Sequence, residues 1–313
     1  MRHHLLVASG ERPKRLDHYL TGHLRDLSRT QLQRLIVLGR VRVHGRQAKP
    51  SQRVHGGDRI EFDSPPPAPL HASQKLTVWS EDEDVLVVDK PAGVVMHPGS
   101  GHWADTLVNA VLHHIGASEA KEVRPRLVHR LDKATSGLVL IAKTVQAQQS
   151  LSRQFAEHRI ARRYIALVRG APALDQDLID LAIGRARQGR AIVSAETSRP
   201  KRAVTHYQIL ERYGDLAARL LLIPRTGRTH QLRVHLQAIG HPILGDHTYD
   251  RPAADRLGPI LIHRMMLHAE MIGYWHPRTG LYREHVAPIP PDVMVLHEVL
   301  KSGDNTSGME EST

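Results

Sequence analysis

Four prolines fall within the twelve residues DSPPPAPLHASQ (63–74), and no hydrophobic period runs through them. Proline fixes φ and offers no amide proton, so neither a helix interior nor a central strand can cross such a stretch. It reads as a semi-rigid linker. The 313-residue chain is thereby cut into a module at 1–63, a linker at 64–76 and a body at 77–300. A polar tail at 301–313 is expected to be disordered. The body alone is long enough to bury a sizeable core.

In the module, Leu16, Leu20 and Leu24 share one helical face, with Tyr19 beside them. SRTQLQRLIVLG predicts a second helix. Ser28 is its N-cap, Gln31 closes a capping box, Leu32, Leu35 and Ile36 face inward, and Gly39 ends it in the left-handed conformation. Arg25, Arg29 and Arg34 take the outer face. VRVHGRQ predicts a strand with a turn at His44 and Gly45, and VHGGDRIEF a further turn and strand.

Charge is concentrated in the same place. The chain carries a net +11; residues 1–62 hold 13 Lys and Arg against 5 Asp and Glu, a net of +8. Such a surface draws a polyanion, most simply nucleic acid. Cysteine is absent, which excludes disulfides and cysteine-ligated zinc or iron–sulfur sites. The N-terminus lacks the apolar core of a signal peptide, and no apolar run approaches the roughly 20 residues of a membrane span. A cytoplasmic protein with no membrane partner is expected.

Beyond the linker, DVLVVDK, GLVLIAK, RRYIALVRG and ARLLLIPR predict strands, and PAGVVMHPG a turn and another strand. AQQSLSRQFAEH and THQLRVHLQAIG predict helices, the second over 230–239 with Leu232, Leu236 and Ile239 on its core stripe and Arg233 and His235 off it. Strands with only occasional helices point to an α+β body with a mixed, largely antiparallel central sheet. Neither a G-x-G-x-x-G nor a G-x-x-x-x-G-K-[ST] loop is present, so no nucleotide cofactor is indicated.

One carboxylate stands out. In LVHRLDKATSGLVLIAK (127–143), Asp132 lies between Arg130 and Lys133 at the mouth of a strand. Nearby cations and a Thr/Ser turn would favour its ionised form. An ionised, oriented carboxylate can act as nucleophile or base; a surface Asp in a salt-bridged turn is the plain alternative. His230 and His235 invite a metal reading, but a spacing of five does not share a helix face and H-E-x-x-H is absent. They read as hydrogen-bonded helix histidines, with no metal.

VHRLDKATSG (128–137) resembles the signature of the RluA family of pseudouridine synthases. VVDKPAGVVMHPG (87–99) and PRTGRTHQLRVHLQAIGHPILGDHTY (224–249) resemble its first and third motifs, in the same order. RRYIALVRG and HRMMLHA also sit where the family has strands, so the resemblance covers residues 77–290. The module, through RLDHYL, SRTQLQRLIVLGRVRVHG and VHGGDRIEF, resembles an S4-type RNA-binding domain, which would set Arg25, Arg29 and Arg34 against phosphates.

The resemblance implies a pseudouridine synthase fold that isomerises uridine in RNA without cofactor or metal, after the base is flipped from its stack. Asp132, Tyr164 and Arg233 would carry the reaction. Asp132 either attacks C1′ or takes the 2′ proton. Tyr164 stacks on uracil and assists removal of the C5 proton. Arg233, or failing it Arg228, pairs with Asp132. Arg130 fills the space of the flipped base, Leu232 contacts the uracil, and Arg225 and Arg228 suit phosphates. Lys90 is either structural or in contact with RNA. Members with this N-terminal module resemble the RluC and RluD branches, so 23S ribosomal RNA in the large subunit is the expected partner of a monomeric enzyme. Two departures concern substrate contacts: Arg126 stands where the family often has Gly, and Arg162 where it often has Lys. The competing readings are a transfer-RNA synthase of the same family and a non-catalytic RNA-binding or ribosome-assembly factor.

Overall fold

The computed structural model describes residues 2–24, 29–37, 39–63, 76–97, 105–116, 125–185, 191–192, 197–250, 256–257 and 260–307. The described residues fall into two compact units, the first over 2–63 and the second from 76 onward.

The first unit holds a four-stranded antiparallel sheet of β1 (Arg2–Leu6), β2 (Val41–Val43), β3 (Arg46–Gln47) and β4 (Arg59–Asp63), in the order β1-β4-β2-β3. Against it pack α1 (Leu16–His23) and α2 (Arg29–Val37). Leu16, Tyr19, Leu20, Leu32, Leu35 and Ile36 are buried with Val41, Val43, Ile60 and Phe62, so both apolar faces read from the sequence are the faces that pack. Gly39 follows α2 at φ 70°, and His44 and Gly45 turn between β2 and β3 at φ 51° and 74°. Ser28 and Arg25 lie outside the described residues, as do the side chains of Gln31 and Arg34.

Arg29 is described, and it is not a free cation. Its Nε and Nη2 donate to Asp17 Oδ2 at 3.1 and 3.0 Å, beside Gln33 Nε2 at 2.6 Å. Arg15 Nε donates to Asp17 Oδ1 at 3.0 Å. Burial alone would raise the pKa of the Asp17 carboxyl. The hydrogen bonds from Arg15, Gln33 and Arg29 outweigh it and hold the group far below the usual carboxylate range. Arg29 therefore spends part of its fork on the fold rather than on phosphate.

The second unit is built on a ten-stranded sheet. Its strands are β5 (Thr77–Glu81), β6 (Val85–Lys90), β7 (Arg126–Leu127), β8 (Ser136–Ala142), β9 (Ala161–Arg169), β10 (Gln176–Asp180), β11 (Val204–Tyr213), β12 (Ala217–Pro224), β13 (Leu267–Trp275) and β14 (Tyr282–Val286). The order is β10-β11-β12-β9-β13-β8-β6-β5, with β7 beside β8 and β14 beside β13. Every pairing is antiparallel except β8 with β13, so the sheet is mixed as expected. Strands β6 and β8 read as unbroken apolar runs because both of their faces are covered. Val85, Val87, Leu138 and Leu140 pack with Ala147 and Leu151 of α4 (Val145–Ala156). Leu86, Val88, Val139 and Ile141 join the opposite core, with Leu107 and Val111 of α3 (Leu107–His114) and Leu232 and Leu236 of α5 (Gln231–Ala238).

Three expectations need correction. PAGVVMHPG makes no strand among its described residues; it turns at Gly93 (φ 88°), and a single bridge joins Val95 to Thr106. Its carbonyls are used elsewhere: Val95 and Met96 accept from Leu107 and Val108, the first amides of α3. Helix α5 is narrower than 230–239 and is buried from Gln231 to Leu236, so Arg233 and His235 are enclosed too. Helix α6 (Pro291–Ser307) runs into the segment expected to lack structure. Val293, Leu296 and Leu300 bury its inner face, and the Ser302 hydroxyl donates to Glu298 O, which carries the helix past its last apolar residue.

Candidate active site

Asp132 sits in the loop between β7 and β8, where five separate devices hold the backbone. Thr135 N donates to Asp132 O at 3.1 Å, closing a turn. His129 Nε2 accepts from Leu140 N at 2.8 Å, tying the start of the loop to its own strand. That imidazole is stacked on Phe155 at 5.0 Å and stays neutral, because burial lowers its pKa to about 3. Ser136 Oγ meets His268 Nδ1 at 3.0 Å across the parallel pair. Gly137 (φ 114°) lets β8 touch β13: a Cβ there would lie 2.2 Å from Ala269 O.

Lys90 is the fifth device. It is fully buried, and its Nζ donates to the carbonyls of Pro91 (2.9 Å), Val94 (3.0 Å) and Lys133 (3.3 Å). Burial draws its pKa down to about 8, which still leaves an ammonium at neutral pH, with one acceptor for each proton. Lys90 therefore fastens the loops around Asp132 and does not line the cavity, which corrects its place among the substrate-binding residues.

The guanidinium that meets Asp132 belongs to Arg233. Its Nη1 donates to Asp132 Oδ2 at 2.9 Å, while Nε and Nη2 bind both oxygens of buried Asp246 at 2.6 and 2.8 Å. Burial would lower the arginine pKa, but these two carboxylates raise it overall, so the cation is permanent. Asp246 also accepts from the amides of Thr248 and Tyr249 through Oδ1. Gly245 (φ 76°) precedes it with room for no side chain, since a Cβ would fall 2.0 Å from Arg264 O. The second carboxylate thus aims the arginine, and the arginine holds the first. Arg130 and Lys133, the sequence neighbours, do not supply this bond.

Asp132 faces a cavity of about 470 Å³ whose walls include Arg130, Tyr164, Arg228, Leu232 and Arg233. Six of the expected site residues thus meet around one space. Arg225 faces a second groove with Arg159, Arg162, Arg163, Arg202 and Arg228; His158, Arg162, Pro224, Thr226 and Arg228 border both. Tyr164 is buried on β9, and burial pushes its hydroxyl pKa up, so it rests as a phenol. Arg162 lies over the Phe155 ring at 5.7 Å and donates to the carbonyls of Pro224 and Thr226 at 3.4 and 3.3 Å. Both of these bonds come from Nη2.

Asp246, Tyr249 and His230 were missed as site residues. The signal of Asp246 and Tyr249 was present in GDHTY, an acidic residue straight after an apolar run and a glycine, but the partner of Asp246 lies in a helix 13 positions away. A separate cluster, Asp82, Asp84 and His276, could in principle hold a cation. Its carboxylates already accept from Arg283 Nη1 (2.6 Å), His276 Nε2 (2.9 Å) and Arg278 Nε (2.6 Å), which makes it an ion-pair network.

A carboxylate with one oxygen fixed by a guanidinium and the other open to a half-apolar cavity is equipped for nucleophilic or base chemistry. Residues 84–238 match the family model for RNA pseudouridylate synthase, and residues 14–60 match that for the S4 domain. An uncharacterised RNA pseudouridine synthase of Chlorobaculum parvum is 38% identical over 95% of this chain and 97% of its own. The ribosomal large subunit pseudouridine synthase D of Zymomonas mobilis is 40% identical over 91% of this chain and 93% of its own. The solved human RNA pseudouridylate synthase domain containing 1 superposes with a TM-score of 0.58 at 30% identity, covering 73% of this chain and 95% of that one. The chain belongs to the RNA pseudouridine synthases, as a member that carries an S4 domain ahead of its catalytic body.

Proposed function

We propose that this enzyme converts uridine to pseudouridine in 23S ribosomal RNA of the large subunit or its precursor, with Asp132 as the reacting carboxylate. The observation that carries this is the Asp132 carboxylate on the cavity wall, held through Oδ2 by Arg233, with Tyr164 and Leu232 lining the same cavity. The choice of RNA leans on relatives named as large-subunit synthases. The uridine leaves its stack to enter the cavity, and Arg130 takes its place. The N1–C1′ bond breaks, the uracil turns against Leu232 and Tyr164, and the C5–C1′ bond forms. The C5 proton departs, with the Tyr164 phenol passing it on, and N1 ends protonated, so the change is an isomerisation with no net redox step. Asp132 serves either by attack at C1′ or by taking the 2′ proton.

Arg225 and Arg228 meet phosphates, and the arginine-lined groove beside the cavity accepts the strand that continues from the flipped nucleotide. The basic first unit adds affinity for structured RNA. The same reading has the enzyme act as a cytoplasmic monomer. The test is a pseudouridine map of RNA from cells lacking this protein, complemented with wild type or Asp132→Asn. A site restored only by wild type supports reaction, residue and target together. A site restored by both would dismiss Asp132, and no missing site would favour a binding or assembly role.

A further inference from the structure

His230 stands just ahead of α5 with a left-handed backbone, φ 55° and ψ 23°, and its side chain makes no capping bond to the helix it begins. A non-glycine residue in that region is strained and persists where its surroundings demand it. The demand is visible. Nδ1 lies 3.1 Å from the Tyr249 hydroxyl, and the two rings meet edge to face at 5.8 Å. The Tyr249 ring carries the Arg233 guanidinium at 5.0 Å, and Arg233 bonds Asp132 Oδ2. The other imidazole nitrogen, Nε2, lies 3.8 Å from Asp132 Oδ1. Three side chains, His230, Tyr249 and Arg233, therefore close a ring with the Asp132 carboxylate.

We propose that His230 is a positioning residue that fixes the plane of the Asp132 carboxylate through Nε2–H. A carboxylate turns easily about its last torsion, which has broad wells. A single bond from Arg233 to Oδ2 leaves Oδ1, the oxygen open to the cavity, free to swing. A phenol O–H donating to Nδ1 leaves the imidazole proton on Nε2, directed at Oδ1. The resting separation of 3.8 Å exceeds a hydrogen bond. A substrate hydroxyl bridges it, or a small ring rotation closes it, as contacts in empty sites commonly tighten on binding. Burial lowers the His230 pKa, with Arg233 and Arg130 acting the same way and Asp132 and Asp246 opposing them. The neutral donor is thus the resting form.

The strain supplies the test. His230→Gly removes the imidazole and at the same time relieves the left-handed backbone. Turnover is followed by release of tritium from C5-labelled uridine in the RNA that the map identifies. The expected result is a fall in kcat of roughly ten- to a hundredfold, KM for RNA within about threefold, and a Tm equal to or above that of wild type. Tyr249→Phe keeps the ring under Arg233 and loses the hydroxyl, so a smaller fall in kcat, about three- to tenfold, is expected. Wild-type kcat in His230→Gly, or a kcat that falls only together with Tm, would overturn the proposal. It rests on Asp132 as the reacting carboxylate: full activity in Asp132→Asn would remove that reading, whereas an inactive Asp132→Asn beside an unimpaired His230→Gly would remove only the positioning role.

Discussion

The tripeptide Arg-Leu-Asp occurs twice in this chain, at 15–17 and at 130–132. In the first unit Arg15 turns back onto Asp17, and Arg29, Gln33 and the His18 amide complete a shell that leaves the carboxylate with no exposed surface. In the second unit Arg130 stays exposed on the cavity wall, Asp132 keeps about a fifth of its side chain open (21%), and its guanidinium arrives from 101 residues away. The leucine is buried in both. Identical local chemistry thus yields one aspartate closed within the fold and one left partly open on a cavity wall. What separates them is how many donors the rest of the fold brings to each carboxylate.

The sharpest way to break this contrast is to neutralise each aspartate. Asp132→Asn is expected to lower turnover by on the order of 10⁴ or more while RNA binding stays within a few-fold, as single-turnover assays and a binding titration would show. Asp17→Asn should do the reverse, costing about 2 kcal/mol of stability in a denaturant titration because an amide now faces two guanidiniums, with turnover of the folded enzyme unchanged. Between these lies Gly137→Ala, which drives a methyl into Ala269 O and should destabilise the second unit by more than about 3 kcal/mol.

Acid sharpens the comparison more gently. His129 and His268 are buried with pKa values lowered to about 3 and about 4, against about 6.5 in an unfolded chain. Between those values the unfolded state binds protons that the folded state refuses. Their stability contribution is therefore complete above about pH 6.5 and lost as pH falls toward 4. Melting curves across that range should show the second unit weakening, beginning with the Asp132 loop that His129 anchors. The smallest effect belongs to the first unit's surface. Arg42→Ala should reduce the slope of log affinity against log salt by about one or less, leaving turnover at saturating RNA untouched.

The apolar alternation was legible: LVHRLDKATSGLVLIAK announces the buried strand, and the inward leucines of both first-unit helices pack as spaced. The aspartate proposed to react stood out only through motif resemblance, since its neighbours Arg130 and Lys133 pointed to the wrong cations. Arg233 was named by resemblance, yet Asp246 and His230 were passed over because their meaning depends on contacts between a helix, its following turn and a distant loop. PAGVVMHPG misled for a physical reason. An apolar run cannot declare whether its carbonyls will face a strand, a helix start or an ammonium, and here they face the last two.

That ammonium has a practical consequence. Lys90 joins segments 43 residues apart at the edge of the Asp132 loop, and its nitrogen is sealed from water. Amine-reactive reagents should therefore spare it for as long as the loop stays shut. The rate at which Lys90 becomes labelled, read by mass spectrometry against an exposed lysine such as Lys49, is a clock for the opening of the Asp132 loop, with its reporter built into the chain.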